Sequence, residues 1–247
     1  MNAGTFIFAL LFSAMCIAST GCKNVPGKPT LASEAKRPDQ VVDFPILYKQ
    51  NCAACHGEQG RNGAAVSLAN PVYIAVTGVD NIQHLTAAGV PGTLMPAFDR
   101  ASGGMLTDGQ VKILAHGIVE TWGRSGVLAG STPPGYTSTT AGDPTRGQQV
   151  FTTFCARCHG NDGGGIKANH KGQIGSIVDP AYLALVSNQS LRTAILVGFP
   201  EQNMPDWRSD LTGAGARPMS DQEITDVVAW MTAHRTATSG QPYQQHL

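Results

Sequence analysis

The chain of 247 residues is long enough for one large hydrophobic core or two small ones, because 42% of its residues are apolar and only 14% are charged. Its 29 glycines and 15 prolines predict short elements joined by many loops and turns, which excludes a structure of long uninterrupted helices. The 17 basic and 17 acidic side chains cancel, so the composition carries no electrostatic footprint of a nucleic-acid-binding protein.

The N-terminal segment has the pattern of a secretory signal. Its stretch TFIFALLFSAMCIASTGC contains an apolar run that is shorter than the roughly 20 residues of a membrane-spanning helix but suits a signal peptide. The residues from Ser19 to Cys22 resemble a bacterial lipobox, in which cleavage before the cysteine leaves a lipid attached to it. A plain cleaved signal peptide and an uncleaved anchor are the alternatives. Each of the three predicts that the rest of the chain crosses a membrane.

The lipobox interpretation divides the beginning of the chain into two parts. It predicts a lipoprotein-type signal peptide at 1–21, a lipid on Cys22, and a polar, proline-containing flexible tether at 22–42. We therefore expect an exported, membrane-anchored lipoprotein that faces the periplasm or the cell exterior.

Beyond the tether the chain contains an internal repeat. The stretch NCAACHG at 51–57 returns as FCARCHG at 154–160, 103 positions later. Further matches keep the same order at offsets of 109 and then 113, and both changes of offset fall in loop-like sequence. The matched residues are Asn70, Pro71, Tyr73, Gly89, Met95, Pro96, Thr107, Val111 and Leu114 in the first copy, and Asp179, Pro180, Tyr182, Gly198, Met204, Pro205, Ser220, Ile224 and Val227 in the second. Two copies of one small domain explain this pattern better than a single large fold.

The repeat sets the expected domain boundaries. We predict domains at 43–122 and 145–236, joined by a linker at 123–144 that is rich in Gly, Pro, Ser and Thr. A C-terminal tail follows at 237–247.

Each copy is expected to end in an amphipathic helix. Thr107 with Gln110, and Ser220 with Glu223, fit a capping box, in which two side chains reciprocally bind free backbone amides at a helix start. Apolar residues follow at helical spacing in both copies. No alternating run is long enough to argue for a sheet, so the predicted fold class is all-α.

The repeated CxxCH stretches carry the chemistry. Two thiols three residues apart on a helical turn can each add to one vinyl group of haem, and the next histidine then lies under the iron as its proximal ligand. A redox dithiol does not require that histidine, and a four-thiolate zinc site usually spaces its cysteine pairs by roughly 15 to 20 residues. The sequence therefore predicts two covalently attached haem c groups. Their predicted ligands are Cys52, Cys55 and His56 in the first copy and Cys155, Cys158 and His159 in the second.

A methionine followed by proline occupies equivalent places in the two copies, as MPAF and MPDW. Proline keeps the preceding residue out of helix, so a loop presents the thioether. Soft sulfur opposite histidine suits an iron that cycles between two oxidation states, and it raises the reduction potential relative to two histidines. Met95 and Met204 are therefore predicted as the second axial ligands. The other methionines considered are predicted to fill gaps in the core, and they are Met105, Met219 and Met231.

Each copy resembles a class I cytochrome c domain, and the chain as a whole resembles a dihaem c-type cytochrome. The family pattern is an aromatic residue four positions before CxxCH, a Met-Pro loop and a closing helix. It is met by Tyr48 and residues 107–122 in the first copy, and by Phe151 and residues 220–234 in the second. The resemblance also implies that a proline carbonyl orients each proximal histidine. The candidates for that carbonyl are Pro71 and Pro180.

Two departures from the family pattern in the first copy are reciprocal in size. The resemblance implies a glycine in the first helix and an aromatic residue in the last, where the two helices cross. Gly147 and Trp230 meet this expectation in the second copy, whereas the first copy has Phe44 and Gly117. We therefore expect Phe44 to fill the space that Gly117 leaves.

The resemblance implies an electron carrier rather than an enzyme. We expect two haems with His/Met ligation to pass single electrons between membrane-associated or periplasmic partners, such as a quinol-oxidising complex and a terminal oxidase or reaction centre. One alternative is a haem-bearing subunit fixed in a larger membrane complex. Another is a dihaem enzyme such as a peroxidase or a thiosulfate-oxidising cytochrome, which needs an open or differently ligated iron. His170, in a glycine-rich insertion, is the histidine that could replace a methionine there.

Overall fold

The computed structural model describes residues 36–169, 172–213 and 216–236. The predicted signal peptide, Cys22, most of the predicted tether, His170 and the C-terminal tail lie outside the described residues. The chain divides into two units, Met1–Gln40 and Val41–Leu247, and in the first unit a short 3-10 helix is described at Pro38–Gln40. Within the described part of the chain, no helix is long and apolar enough to cross a membrane.

The unit that begins at Val41 is built mainly from helices. The first copy forms α1 (Phe44–Asn51), α2 (Ala53–His56), α3 (Pro71–Thr77), α4 (Val79–Ala88) and α5 (Asp108–Trp122). The second copy forms α6 (Pro144–Phe154), α7 (Ala156–His159), β1 (Ile166–Asn169), β2 (Gly172–Ile174), α8 (Pro180–Leu185), α9 (Asn188–Val197) and α10 (Asp221–Thr232). Short 3-10 helices lie at Arg100–Ser102 and Pro200–Gln202. This architecture confirms the all-α fold class.

A small antiparallel hairpin lies in the longer loop of the second copy. β1 and β2 pair with Ile166 opposite Ile174, and Gly165, with a φ angle of 91°, directly precedes the first strand. This hairpin was not predicted from the sequence. Its strands are only four and three residues long, which is too short for an alternating pattern to emerge.

Side-chain caps begin the first and last helices of each copy. Asp43 and Asp143 cap α1 and α6 by accepting hydrogen bonds from backbone amides of the first turn. The capping boxes predicted at Thr107 and Ser220 are both present at the starts of α5 and α10. Each cap of this kind stabilises a helix by about 1 kcal/mol. Local sequence therefore fixes where these helices begin.

In the second copy, α6 crosses α10 at backbone distance. A Cβ added to Gly147 would overlap the backbone carbonyl of Asp226 and would lie 2.7 Å from the Cβ of Trp230. The Trp230 ring stacks on Phe151, with ring centroids 4.3 Å apart. The glycine is thus what allows the two helices to approach so closely.

In the first copy the large and small residues at this helix crossing are exchanged, with Phe44 on the first helix and Gly117 on the last. A Cβ added to Gly117 would overlap the ring of Phe44, 2.8 Å from its Cε2. The Phe44 ring also contacts Tyr48 and Trp122, with centroid distances of 5.8 and 6.0 Å. The expectation that Phe44 fills the space left by Gly117 is confirmed.

One buried arginine ties the predicted linker segment to the second copy. Arg192 is 3% exposed and donates to the carbonyl oxygens of Gly135 at 2.7 Å and Tyr136 at 3.2 Å. It also donates to Thr225 at 3.1 Å and forms an ion pair with Asp221. A buried guanidinium must have its donors satisfied, and here two of the acceptors belong to the linker backbone. The glycine- and proline-rich segment is therefore docked along α9 and α10.

Asp226 is a buried carboxylate where α6 meets α10. It accepts hydrogen bonds from Arg146, from the backbone N–H of Asp143 and from Gln222, each at 2.8 Å. Burial acts to raise the pKa of Asp226, but these hydrogen bonds and the Arg146 charge outweigh it and hold the pKa below its ordinary value.

We expect Asp226→Asn to lower the free energy of unfolding at neutral pH and to have less effect in acid. Because the folded-state pKa lies below the unfolded one, the stabilisation is present above the unfolded value of about 3.9 and is lost as the pH falls through the folded value. Guanidinium unfolding of both proteins at neutral pH and at about pH 3 measures the difference. A difference that grew on acidification would contradict this account.

Candidate haem-binding sites

The two CxxCH stretches fold in the same way at the ends of α1 and α6. Cys52 and Cys155 are the C-cap residues, with φ −117° and ψ −35° in the first copy and φ −118° and ψ −34° in the second. His56 and His159 donate their backbone N–H groups to the carbonyl of the preceding first cysteine, at 2.9 and 3.0 Å. One tight turn therefore carries two thiols and one imidazole in each copy.

All four described cysteines are free thiols, and the surroundings of Cys52 and Cys155 disfavour the thiolate. Burial first, and then the second cysteine of each pair, raise the pKa of Cys52 and of Cys155 to about 12. A zinc site or a reactive dithiol needs thiolates instead. Among the residues that the structure describes, no group of three or more His, Cys, Asp or Glu side chains could hold a metal ion.

His56 is a buried imidazole with a fixed orientation. It is 8% exposed, and its Nδ1 donates to the carbonyl oxygen of Val66 at 2.8 Å, which leaves the Nε2 lone pair free to bind a metal. Burial lowers the pKa of His56, although the Val66 carbonyl opposes this, so the ring is neutral at neutral pH. The expectation that the Pro71 carbonyl accepts this hydrogen bond is wrong. Pro71 is the first residue of α3, where a carbonyl points along the helix axis.

His159 has different surroundings from His56. Its Nδ1 is buried and has no hydrogen-bond partner among the described residues, so the expected bond to the Pro180 carbonyl is wrong as well. Pro180 is the first residue of α8, so its carbonyl also points along the helix axis. Burial lowers the pKa of His159, so this ring is also neutral at neutral pH. Both imidazoles are therefore in the form that ligates a metal.

A glycine packs against each methionine loop. Gly89 and Gly198 have positive φ angles of 74° and 65°. A Cβ on Gly89 would lie 2.9 Å from the carbonyl oxygen of Met95, and a Cβ on Gly198 would lie 2.6 Å from that of Met204. Any larger residue would thus push the loop away from the helix that precedes it. Both glycines belong to the repeat, but this function was not predicted from the sequence. Their fixed distance before Met-Pro was the available signal.

Backbone hydrogen bonds hold both methionines in place. Val90 donates its N–H to the carbonyl of Met95 at 3.1 Å. In the second copy, Phe199 and Met204 exchange two hydrogen bonds, at 3.0 and 3.1 Å. Both methionines lie outside the helices and are half-buried, so their loops are closed at the backbone.

The remaining methionines divide into buried and exposed ones. Met219 and Met231 are 6% and 4% exposed, which confirms that they fill the core. Met105 is 81% exposed, so the same prediction for it is wrong. The chain turns Leu106 inward at this point, with 7% exposure, and the preceding Met105 side chain consequently faces solvent.

These groups fit two covalently attached haems. Each copy offers two free thiols for thioether bonds, a neutral imidazole, and a thioether sulfur on a loop closed by its own backbone. One imidazole nitrogen and one soft sulfur form a donor set that suits a haem iron with both axial positions filled.

Two family models match the chain in separate segments. The cytochrome c model matches residues 144–234, and the model of cytochrome c oxidase, cbb3-type, subunit III matches residues 40–116. Each matched segment contains one CxxCH stretch. The chain is a dihaem c-type cytochrome. This cytochrome carries two covalently attached haem c groups, one for each matched segment.

Curated relatives of the cytochrome cover different parts of it. A cbb3-type cytochrome c oxidase subunit CcoP from Azospirillum sp. is 30% identical over 132 residues, which is 49% of this chain and 40% of that protein. A thiosulfate dehydrogenase from Stutzerimonas stutzeri is 28% identical over 195 residues, which is 74% of this chain and 59% of that protein. The cytochrome therefore spans less than two thirds of either relative.

Among solved structures, a chain of a reducing HAO-like protein complex from Kuenenia stuttgartiensis aligns with the cytochrome. The alignment covers 82% of the cytochrome and 100% of that chain, with 17% identity and a TM-score of 0.46.

Proposed function

We propose that this cytochrome carries single electrons between membrane-associated or periplasmic redox partners, in a respiratory or photosynthetic chain. The observation that carries the proposal is that both copies present the same groups: paired thiols at a helix end, a neutral imidazole and a methionine on a glycine-backed loop. A donor set that fills both axial positions suits electron transfer, whereas substrate chemistry at an iron needs an open position.

The proposal gives each site residue a role. His56 with Met95, and His159 with Met204, would hold the two haem irons. Bound haem supplies an iron that takes up and releases one electron at a time. The Val66 carbonyl holds the His56 ring, and the burial of that ring excludes water from it. Methionine sulfur would raise the reduction potential of a bound haem above that of a site with two histidine ligands. The residues that form thioether bonds are Cys52, Cys55, Cys155 and Cys158.

We propose a quinol-oxidising complex as electron donor and a terminal oxidase or a photosynthetic reaction centre as acceptor. The similarity of residues 40–116 to a cbb3-type oxidase subunit supports an oxidase. The same similarity supports the alternative of a haem-bearing subunit fixed in a larger membrane complex. The formal net charge of zero provides little long-range steering, so local contacts would select the partner in either case.

We also propose that the protein is exported and held at a membrane by a lipid on Cys22. The support is the apolar run followed by the lipobox-like residues at 19–22, and the polar composition of 22–42 that suits a tether. The mass of the N-terminal peptide isolated from cells tests this. An unmodified residue 22, or a retained signal segment, would rule the lipid out.

Thiosulfate oxidation is the second candidate function, because the similarity to a thiosulfate dehydrogenase extends over 74% of this chain. Two thiosulfate ions would then join through a new S–S bond as tetrathionate and release two electrons, one to each haem iron. The four described cysteines all lie in the CxxCH stretches, so none of them is available as a further iron ligand in an enzyme of this kind.

A spectroelectrochemical titration of the haem-loaded protein tests these functions. A carrier is expected to show two one-electron transitions and, in the ferric form, the methionine-to-iron absorption band from both haems. A high-spin haem that reacts with peroxide, or catalytic reduction of the protein by thiosulfate, would refute the carrier. The matched control is the same protein with each CxxCH histidine replaced, which must lose the low-spin spectrum.

A further inference from the structure

One buried side chain of the first copy reaches the base of the methionine loop in the second. Asn70 is 3% exposed, and its Nδ2 donates to the carbonyl oxygen of Val197 at 3.0 Å and to that of Gly198 at 3.4 Å. Helix α3, which begins directly after Asn70, packs against α9, which ends at Val197. The two haem domains are therefore in contact through a specific polar group and a helix pair.

The carbonyls that Asn70 binds belong to the segment that places Met204. Gly198 packs against the Met204 carbonyl, since a Cβ there would lie only 2.6 Å from that oxygen. The next residue, Phe199, exchanges two backbone hydrogen bonds with Met204. A shift of Val197 and Gly198 would thus move the backbone of Met204 directly.

Asn70 also caps a helix with its side-chain oxygen, and this role does not need the N–H donors of its amide group. Its Oδ1 accepts from the backbone N–H of Val72 at 2.9 Å and of Tyr73 at 3.4 Å. The equivalent residue in the second copy, Asp179, is exposed and caps α8 with its carboxylate. Aspartate and asparagine cap helices about equally well, but only asparagine can also donate. Helix capping alone does not require an amide at position 70.

We infer that Asn70 is a positioning residue for the axial methionine of the second haem. Through its amide, the first domain holds Val197 and Gly198, and this contact determines where the Met204 loop lies. The inference rests on the proposed role of Met204 as an iron ligand. It makes the second site dependent on a side chain outside its own domain, so the two domains are expected to act as one unit in setting the second potential.

The test uses the haem-loaded full chain and the variant Asn70→Asp. Aspartate keeps the capping oxygen but replaces the donor by a carboxylate that faces two carbonyl oxygens. We expect the methionine-to-iron band to fall by up to half, and the methyl signal of Met204 to shift or disappear in NMR spectra while that of Met95 stays. The matched control, Asp179→Asn, makes the reverse change at the exposed equivalent position and is expected to leave both methionine signals unchanged.

A second variant and a second readout keep the result interpretable. Asn70→Ser retains a neutral capping oxygen but is too short to reach the carbonyls, so it is expected to act in the same direction even if the aspartate variant fails to load haem. Hydrogen exchange at the Phe199 amide is expected to accelerate in both variants. An unchanged Met204 signal and an unchanged Phe199 amide, or equal changes at Met95 and Met204, would overturn the inference. If the wild-type protein shows no signal of an iron-bound Met204, the ligand assignment is refuted. Faster exchange of the Phe199 amide in the variants would then still support the contact between the domains.

Discussion

Replacing Gly147 by alanine is expected to lower the free energy of unfolding by about 3 kcal/mol, at the upper end of the usual cost of overpacking a core. The new methyl group would overlap the backbone carbonyl of Asp226 and press on the Cβ of Trp230. Neither atom can move aside by a side-chain rotation, so α6 and α10 must separate. The loss is measurable as a lower midpoint of guanidinium unfolding of the haem-loaded protein, followed by circular dichroism.

Gly117→Ala provides the matched control in the first copy. There the methyl group would meet the ring of Phe44, which is only partly buried and can rotate. We therefore expect a smaller loss of stability than for Gly147→Ala. A larger loss from Gly117→Ala would mean that the ring is as rigid an obstacle as a helix backbone, and the contrast between the two crossings would be wrong.

The features that the sequence predicted are local in character. The capping boxes at Thr107 and Ser220 depend on residues three positions apart, and the turn that carries each CxxCH depends on five. The exchange of sizes between Phe44 and Gly117 could also be predicted, although these residues are far apart in the chain. In that case the pattern of the cytochrome c family, which the second copy meets, served as the reference for the same helix crossing.

The features that the sequence did not predict depend on how distant backbone groups meet. The carbonyl that orients His56 comes from Val66, and no side-chain pattern distinguishes one loop carbonyl from another. His159 lacks the corresponding partner among the described residues, although the two CxxCH turns have the same backbone angles. The duplicated pattern therefore predicts the attachment of both haems but not the hydrogen bonding of their proximal ligands.

The contact between the domains illustrates the same limit. Composition indicates that residues 123–144 are irregular, but not that Arg192 fixes them on the second copy. Likewise, Asn70 appears in the sequence as one more member of the repeat, opposite Asp179. Only the packing of α3 on α9 gives its amide a partner, because the hydrogen bond to Val197 spans more than half of the chain.

Replacing Met204 by histidine is expected to lower the reduction potential of the second haem by a large part of the about 0.8 V range that axial ligands cover. A second imidazole is a stronger donor than a thioether and favours the ferric state, whereas methionine favours the ferrous state. The potential of the first haem is expected to stay nearly the same, since its proposed ligands, His56 and Met95, are untouched. Spectroelectrochemical titration of the variant would show one transition displaced and one retained.

In the paired variant Met95→His, the potential of the first haem is expected to fall and that of the second to stay. The two titrations together therefore assign each potential to its domain. Met219→Leu is the control for Met204→His, because Met219 is a buried core methionine of the second copy. Replacing it changes the packing without changing the proposed ligands. Two unchanged potentials in Met204→His would show that Met204 is not an iron ligand. The site would then need a different sixth ligand or an open position, and the enzyme alternative would gain the support that the carrier lost.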